Sequence, residues 1–256
     1  MKLFKYHSLG NTFYLVRGAP INSELAVALC RDSIAGGVDG LISYKQIGQR
    51  VIVDLYNSDG SPAGFSGNGF ACTAKQVFLE CEEKSLILES AVSNIGVVYS
   101  NEIIKLIIPV MKSNIHEKYP FHHMVGSIPY SLIYVGNEHA VFFDTIDDSK
   151  VESYFADSKR FPDGININLA RVVHDHEIEL DVIERGCGRT SACTSGALAT
   201  VIAAIREKRC KLPVVVKQVG GFIYVERDAE GQYLVDLHPE ILGMFEWDGK
   251  TISPLT

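Results

Sequence analysis

Two short polar segments, starting 127 residues apart at positions 66 and 193, carry residue types suited to acid–base chemistry. They are Ser66-Gly67-Asn68-Gly69 and Cys193-Thr194-Ser195-Gly196. Each precedes an apolar segment with helical spacing, so each is predicted to begin a helix. A helix N-terminus offers unpaired N–H groups and a partial positive charge, and small residues let an anion approach them. The two segments therefore predict two amide-lined sites for a carboxylate.

Cys193 stands at the head of the second segment, where a thiol can act as a general base. The positive end of a helix favours the thiolate, so the pKa of Cys193 is predicted to lie below that of free cysteine. Loss of the Cα proton of an amino acid pushes charge into its carboxylate, which the amides stabilise without a cofactor. Inversion requires a second group on the opposite face, and the corresponding residue is Ser66. A hydroxyl is a much weaker acid than a thiol, and helix capping is the alternative role of Ser66.

The elements that must position these segments also recur along the chain. Residues 54–58 overlie residues 181–185 in the same register that places Ser66 over Cys193. Both copies contain a strand-like segment, a turn-rich stretch, a small polar tetrapeptide and an apolar helix. The repeat predicts two similar domains that face each other across a cleft. Chance similarity of two common strand–loop–helix units is the alternative.

Short β-branched segments bounded by Gly, Asn, Asp or Pro predict strands, and they outnumber the helices. The predicted strands cover residues 50–56, 86–88, 103–108, 131–135, 212–217 and 221–225. The predicted helices cover residues 23–35, with Ser23 as N-cap, 69–81 and 196–209. Because strands do not alternate strictly with helices, the pattern favours a mixed, mainly antiparallel α+β fold.

Composition excludes several classes of function. A net charge of −7 and a pI of about 5.6 argue against a general binder of nucleic acid or acidic membranes. No apolar run is long enough for a membrane span or a signal peptide, so a cytoplasmic location is expected. The six cysteines form no Cys-x-x-Cys pair, which argues against structural zinc. For Cys30, Cys81 and Cys210, burial as small hydrophobic residues is the ordinary interpretation.

At these residues the chain resembles diaminopimelate epimerases, and the likeness covers most of its length. Six segments match the family's motifs in order: Lys5-Tyr6-His7-Ser8-Leu9-Gly10-Asn11-Thr12-Phe13, Gly37-Val38-Asp39-Gly40-Leu41, Tyr56-Asn57-Ser58-Asp59-Gly60-Ser61 with Ser66-Gly67-Asn68-Gly69, Val135-Gly136-Asn137-Glu138-His139-Ala140-Val141, Phe161-Pro162-Asp163-Gly164-Ile165-Asn166, and Glu184-Arg185-Gly186-Cys187-Gly188-Arg189-Thr190-Ser191-Ala192-Cys193.

The resemblance implies two pseudo-symmetric α/β barrels, each wrapped around a central helix, with the active site in the cleft between them. We place the N-terminal domain at residues 1–115 plus 245–256 and the C-terminal domain at residues 116–244. The resemblance further implies an amino-acid epimerase of lysine biosynthesis that uses no cofactor and no metal. A small-molecule amino-acid substrate and a homodimer are also implied, with no nucleic-acid or membrane partner.

The resemblance also assigns roles to individual residues. Cys193 matches one of two acid/base cysteines, and Glu184 and His139 match groups that tune the thiols. The remaining matched positions are expected to contact substrate: Asn57, Asn166, Glu184 and Arg185 at its far amino-carboxylate end, Asn11 and Asn137 elsewhere, and Gly67, Asn68, Thr194 and Ser195 at the helix termini. An ion pair with Glu184 is the alternative for Arg185, and a hydrogen-bonded core histidine is the alternative for His139.

Departures from the family pattern leave three hypotheses. Ser66 stands at the second catalytic cysteine, Arg189 replaces a usual glutamate, Glu138 a usual proline and Ala71 a usual arginine. The leading hypothesis is an epimerase or racemase that uses an unequal Ser/Cys pair. The second is a one-sided proton abstraction, such as a dehydration or a double-bond shift. The third is a catalytically impaired protein that binds an amino acid.

Overall fold

The computed structural model describes residues 1–31, 36–111, 115–119, 123–157 and 159–255. The chain forms two compact units, the first comprising Met1–Ile108 with Asp236–Thr256 and the second Pro109–Val235. This division corrects the boundaries expected from sequence at 115/116 and 244/245. The second expected boundary would cut strand Glu240–Trp247, which pairs with Lys2–Ser8 and so belongs wholly to the first unit.

Twenty strands and five helices lie in the described ranges. The strands are β1 (Lys2–Ser8), β2 (Asn11–Arg17), β3 (Gly40–Ile47), β4 (Arg50–Asn57), β5 (Pro62–Ala63), β6 (Ser85–Glu89), β7 (Asn94–Ser100), β8 (Ile103–Ile108), β9 (Met124–Val125), β10 (Ile128–Pro129), β11 (Ser131–Tyr134), β12 (Glu138–Phe142), β13 (Asn166–His174), β14 (Glu177–Glu184), β15 (Gly188–Thr190), β16 (Val214–Gln218), β17 (Gly221–Arg227), β18 (Tyr233–Leu237), β19 (Glu240–Trp247) and β20 (Ile252–Pro254). The helices are α1 (Ser23–Cys30), α2 (Gly67–Glu80), α3 (Ile115–Lys118), α4 (Asp148–Phe155) and α5 (Thr194–Arg206).

In the first unit a twisted sheet surrounds α2. Strand β1 pairs with β19 and β2, and β2 runs parallel to β3 after the α1 crossover. Strand β4 pairs antiparallel with β3 and parallel with β6, so α2 forms a second crossover. Helix α2 contacts β1, β2, β3, β6, β7 and β8. Its side chains are buried on nearly every face, as expected for a helix with apolar residues all round.

The second unit repeats this connectivity around α5. Strand β11 pairs with β12, β12 runs parallel to β13 after α4, and β13 pairs with β14. Strand β14 then runs parallel to β16 after α5, and β16 pairs with β17. Helix α5 is buried along its length and contacts β11, β12, β13, β16 and β17. The α+β fold with two pseudo-symmetric units is therefore confirmed.

The sequence repeat predicted at an offset of 127 is confirmed in the order and pairing of the elements. Strand β4 begins at Arg50 and β14 at Glu177, and the residues that cap α2 and α5 are Ser66 and Cys193. The same offset therefore relates the two strands and the two caps. Chance similarity does not account for two units with the same order of parallel and antiparallel pairs.

Three helix predictions need correction at their ends. Asn22, not Ser23, caps α1, because its side-chain oxygen accepts from the Leu25 N–H at 2.8 Å. Helix α1 ends at Cys30, and the last four residues of the predicted helix, 32–35, lie outside the described residues. Helices α2 and α5 begin two residues earlier than predicted and end before Cys81 and Arg209.

Within the described ranges, no helix is both long enough and apolar enough to span a lipid bilayer.

Candidate active site

Ser66 and Cys193 adopt the same capping geometry in their separate units. The backbone of Ser66 has φ −141° and ψ 111°, and that of Cys193 has φ −133° and ψ 112°. The Ser66 hydroxyl accepts from the Gly69 N–H at 3.2 Å, and the Cys193 sulfur accepts from the Gly196 N–H at 3.3 Å. Each side chain thus satisfies one of the unpaired donors of a helix N-terminus. The capping alternative for Ser66 is therefore observed.

A polar shell surrounds the Cys193 sulfur. The sulfur lies 3.3 Å from Oε2 of Glu184 and 3.3 Å from the Ser195 hydroxyl. The Thr190 hydroxyl donates to the other Glu184 oxygen at 2.5 Å and so fixes the carboxylate. The backbone N–H of Cys193 donates to Oε1 of Gln218 at 2.8 Å. A thiol, a carboxylate and a hydroxyl thus converge at the start of α5, which can exchange a proton with a bound ligand.

The predicted lowering of the Cys193 pKa is wrong for this structure. Burial raises the pKa of Cys193 well above its ordinary value, and the negative charge of Glu184 raises it further. The Gly196 N–H opposes this, as does the Ser195 hydroxyl when it donates to the sulfur. The partial charge of a helix end is smaller than the combined effect of desolvation and a carboxylate in contact. Cys193 is therefore a protonated thiol that donates to Glu184.

Replacement of Glu184 by Gln is expected to lower the pKa of Cys193, because a full negative charge beside the sulfur is removed. Thiolate absorbance followed across pH, with a Cys193→Ala/Glu184→Gln variant as the blank, measures the shift. Glu179→Gln is the matched control, since Glu179 is exposed on the same strand and pairs with Arg171. An unchanged or higher Cys193 pKa in Glu184→Gln would contradict the assigned role of the carboxylate.

His139 lies fully buried beside this shell. Its Nδ1 is 2.9 Å from Oδ1 of Asn168, and its Nε2 is 3.0 Å from the Asn137 amide oxygen and 3.1 Å from the Ser195 hydroxyl. Burial lowers the pKa of His139 to about 4, the Asn168 contact opposes the shift, and the positive charge of Arg185 adds to it. The imidazole is therefore neutral at pH 7, and it is hydrogen-bonded in the core as the alternative interpretation expected.

The pKa of His139 predicts how stability depends on pH. With a value of 6.5 in the unfolded chain and about 4 in the folded one, the unfolded state binds more protons between those pH values. The contribution of the neutral imidazole to the free energy of unfolding is complete above pH 6.5 and is lost as pH falls through about 4. The free energy of unfolding is expected to decrease by about 3 kcal/mol over this range. Denaturant unfolding should show the stability gap between wild type and His139→Gln narrowing by roughly this amount from pH 7 to 4. The exposed His238→Gln serves as control, and a pH-independent gap for His139→Gln would overturn the expectation.

The N-terminus of α2, which Ser66 caps, has apolar neighbours where the N-terminus of α5 has polar ones. A Cβ built on Gly69 would lie 2.8 Å from the Ile42 side chain and 3.4 Å from the Phe13 ring. Strand pairing places Phe13 where the second unit has His139, and Ile42 where it has Asn168. Among the described residues of the first unit, the Gly69 N–H is the hydrogen-bond partner of the half-buried Ser66 hydroxyl. The described neighbours of this turn, Ile42 and Phe13, are apolar and cannot act as a base toward the hydroxyl.

Comparison with known proteins assigns the chain to a family. The family model described as Diaminopimelate epimerase matches residues 131–240. A diaminopimelate epimerase from Rickettsia bellii is 30% identical, with 79% of this chain and 81% of the relative covered. The chain belongs to the diaminopimelate epimerase family. A further diaminopimelate epimerase, from Desulfitobacterium hafniense, is 29% identical and covers 88% of this chain and 90% of its own length.

The fold comparison agrees with this membership. A crystal structure of a hydroxyproline epimerase from Agrobacterium vitis, with bound trans-4-OH-L-proline, aligns with a TM-score of 0.66. That alignment covers 95% of this chain and 90% of the other, at 13% identity. At such low identity the likeness shows a shared fold. The recognition of a diaminopimelate epimerase family fold from sequence motifs is thus confirmed.

In this diaminopimelate epimerase family member, the expected far-end residues of the second unit are linked to one another. The Arg185 backbone N–H donates to Oδ1 of Asn166 at 3.0 Å, and the Asn166 amide donates to the Glu138 carbonyl at 3.0 Å. The exposed Arg185 guanidinium donates to the Asp163 carbonyl at 2.8 Å. Arg185 therefore bonds to Asn166 through its backbone and to Asp163 through its guanidinium. These contacts differ from the alternative expected from the sequence, an ion pair with Glu184.

The other residues expected to contact substrate lie outside the Asn166–Arg185 cluster, some in the first unit and some in the second. Asn57 donates to the Ser61 hydroxyl at 2.9 Å, and Gly67 and Asn68 are buried in the first turn of α2. Oδ1 of Asn11 is buried and has no hydrogen-bond partner among the described residues. In the second unit Thr194 is buried in the first turn of α5, and Asn137 donates to the Ser195 hydroxyl at 3.3 Å. Their roles toward substrate remain predictions.

Sequence reasoning missed four residues that hold the Cys193 shell in place: Thr190, Gln218, Asn168 and Thr200. Thr190 is the one with a local signal, because it lies inside the Glu184–Cys193 motif. Gln218, at the end of β16, contacts Cys193 only because β16 returns beside β14 after α5. The others likewise become neighbours through strand pairing and helix packing.

Proposed function

We propose that the protein is a cofactor-independent amino-acid epimerase or racemase that inverts Cα, with diaminopimelate or a close analogue as substrate. The observation that carries the proposal is the Cys193–Glu184 pair at the N-cap of a buried helix, 3.3 Å apart. Family membership and the pseudo-symmetric cap at Ser66 support it. The relatives carry the name diaminopimelate epimerase, and the substrate is inferred from that name.

The proposed reaction begins with the substrate carboxylate at the helix N-terminal amides of residues 67–69 and 194–196. Charge that develops on the carboxylate as the Cα proton leaves is stabilised by those donors, so the residues present require no electron-accepting cofactor. Cys193 exchanges a proton with one face of Cα, and Glu184 takes up or returns the thiol proton at 3.3 Å. Ser66, directly or through a water, serves the opposite face.

The remaining parts of the proposal concern the setting of the enzyme. We place it in the cytoplasm, in lysine biosynthesis and as a homodimer, with a small amino acid as its ligand. Asn166 and Arg185 hold the far amino-carboxylate end, which gives selectivity for a substrate with two such ends. In the described residues no group of His, Cys, Asp and Glu is arranged to hold a metal ion.

Deuterium wash-in tests the proposal. The protein is incubated in heavy water with LL- or meso-diaminopimelate, and loss of the Cα proton signal and change of stereochemistry are followed by NMR and chiral chromatography. The expected result is wash-in coupled to inversion, which is absent in Cys193→Ala. Glutamate, which lacks the far amino-carboxylate end, is the matched control ligand and is expected to exchange more slowly. Absence of exchange with every amino acid tested, also after Ser66→Cys, would discard the proposal.

A second candidate is favoured by the unequal shells of the two caps. Gly69, whose N–H donates to the Ser66 hydroxyl, lies against Ile42 and Phe13, whereas Cys193 lies among Glu184 and Ser195. One-sided proton transfer would give wash-in from a single enantiomer without inversion. Tight binding of an amino acid with no wash-in, unaltered by Ser66→Cys, would instead identify an impaired binding protein.

A further inference from the structure

Four buried polar side chains form a continuous chain beneath the first turn of α5. The Cys193 sulfur lies 3.3 Å from the Ser195 hydroxyl, and that hydroxyl lies 3.1 Å from Nε2 of His139. Nδ1 of His139 then lies 2.9 Å from Oδ1 of Asn168. His139 and Asn168 have no exposed surface, and Ser195 has 5%. The donors and acceptors in such a buried chain must be matched, because an unpaired polar group there is costly.

The orientation of the Asn168 amide follows from its other contacts. Its Nδ2 lies 2.7 Å from the Gly196 carbonyl and 2.9 Å from the Thr200 hydroxyl. A carbonyl oxygen only accepts, so the amide must turn its NH2 group toward Gly196. Oδ1 is then left facing His139, and because it too only accepts, Nδ1 of His139 must carry a proton. Asn168 therefore selects the tautomer of His139.

The tautomer of His139 decides where the Ser195 proton points. A neutral ring protonated at Nδ1 carries a lone pair on Nε2, which accepts from the Ser195 hydroxyl at 3.1 Å. In the structure the Asn137 oxygen lies 3.0 Å from Nε2 and its NH2 group 3.3 Å from the Ser195 hydroxyl. A lone pair on Nε2 requires the opposite orientation of this amide, which a half-turn of the side-chain amide gives and which places its oxygen at the Ser195 hydroxyl. Both acceptors draw the hydroxyl proton away from sulfur. A lone pair of Ser195 then faces the thiol of Cys193.

We propose that Asn168 is a positioning residue for Cys193: through His139 and Ser195 it withholds a hydrogen-bond donor from the sulfur and keeps it protonated. The Cys193 thiol donates to Glu184 at 3.3 Å, and burial and the Glu184 charge raise its pKa. A Ser195 hydroxyl that donated to the sulfur at 3.3 Å would lower this pKa, and the proposed direction of the Ser195 proton removes that effect. The role of the protonated Cys193 thiol in catalysis rests on the proposed function. The direction of the hydrogen bonds is a property of the folded protein and is testable without any substrate.

The tautomer is measured first, by long-range ¹H–¹⁵N NMR of His139. The expected result for the wild type is a proton on Nδ1 and none on Nε2. In Asn168→Leu, which is similar in size but has no acceptor, the proton is expected to move to Nε2. Thr200→Val is the matched control, because the Gly196 carbonyl still orients the Asn168 amide and the tautomer should not change. A wild-type spectrum with Nε2 protonated overturns the proposal without recourse to any variant.

The effect on sulfur is measured by the rate at which iodoacetamide alkylates Cys193 at one fixed pH, with the exposed Cys187 as internal reference. In Asn168→Leu the Ser195 hydroxyl is released to donate to the thiolate, and Cys193 alkylation is expected to rise about fivefold, the size of one hydrogen bond. Ser195→Ala should remove this response, so that adding Asn168→Leu to it causes no further acceleration. Equal acceleration in both backgrounds would indicate a loosened helix and refute the proposal. If no amino acid undergoes exchange, the proposed epimerase function is wrong, but the His139 tautomer and the Cys193 alkylation rate still test the role of Asn168.

Discussion

Cys193→Ala is expected to slow proton exchange at Cα by about 10²- to 10⁴-fold, the range carried by a general acid–base group. The reason is local: the sulfur is the group at the α5 cap that contacts the Glu184 carboxylate, at 3.3 Å. Deuterium wash-in into the substrate measures the loss. Binding of the amino acid, followed by calorimetry, is expected to persist because the helix amides remain.

Two controls separate chemistry from folding in this experiment. Cys187→Ser changes an exposed thiol in the same motif and should leave wash-in unchanged. Cys193→Ser keeps a capping oxygen for the Gly196 N–H, so its helix should be as stable as that of the wild type while exchange is lost. Wash-in retained in Cys193→Ala would show that another group moves the proton.

Ser66→Cys is expected to raise the rate of inversion by about 100-fold, because a thiol is a far better proton donor and acceptor than a hydroxyl. The cap geometry favours the change: the backbone angles of Ser66 match those of Cys193 within 8° in φ and 1° in ψ. The Gly69 N–H can donate to a sulfur as the Gly196 N–H does. The conversion of each enantiomer to the other, measured by chiral chromatography, reports the rate.

The comparison with Ser66→Ala indicates what the hydroxyl contributes in this chain. If Ser66 serves one face of Cα, the alanine variant loses inversion but keeps exchange at the face served by Cys193. An inversion rate that is the same in wild type, Ser66→Cys and Ser66→Ala would rule out position 66 as the second acid–base group.

Local sequence patterns were sufficient for the framework of the candidate site. Small residues before an apolar helix identified the caps Ser66 and Cys193, because capping depends on residues only three positions apart. The sequence repeat, with its offset of 127 residues, corresponds in the structure to two units with the same strand order. The reason is that burial alternates in the same way along β4 and β14, which sets the same strand pairing in each unit. The α+β class followed from the same periodicity.

What the tertiary structure alone decided is the electrostatic environment of Cys193. The sequence placed the thiol at a helix end and predicted a lowered pKa, but burial and the Glu184 carboxylate raise it. The tautomer of His139 likewise depends on Asn168, a residue 29 positions away that β12–β13 pairing brings into contact. A helix end acts on its own cap through neighbours in sequence, whereas desolvation and hydrogen-bond direction depend on every group packed around the atom.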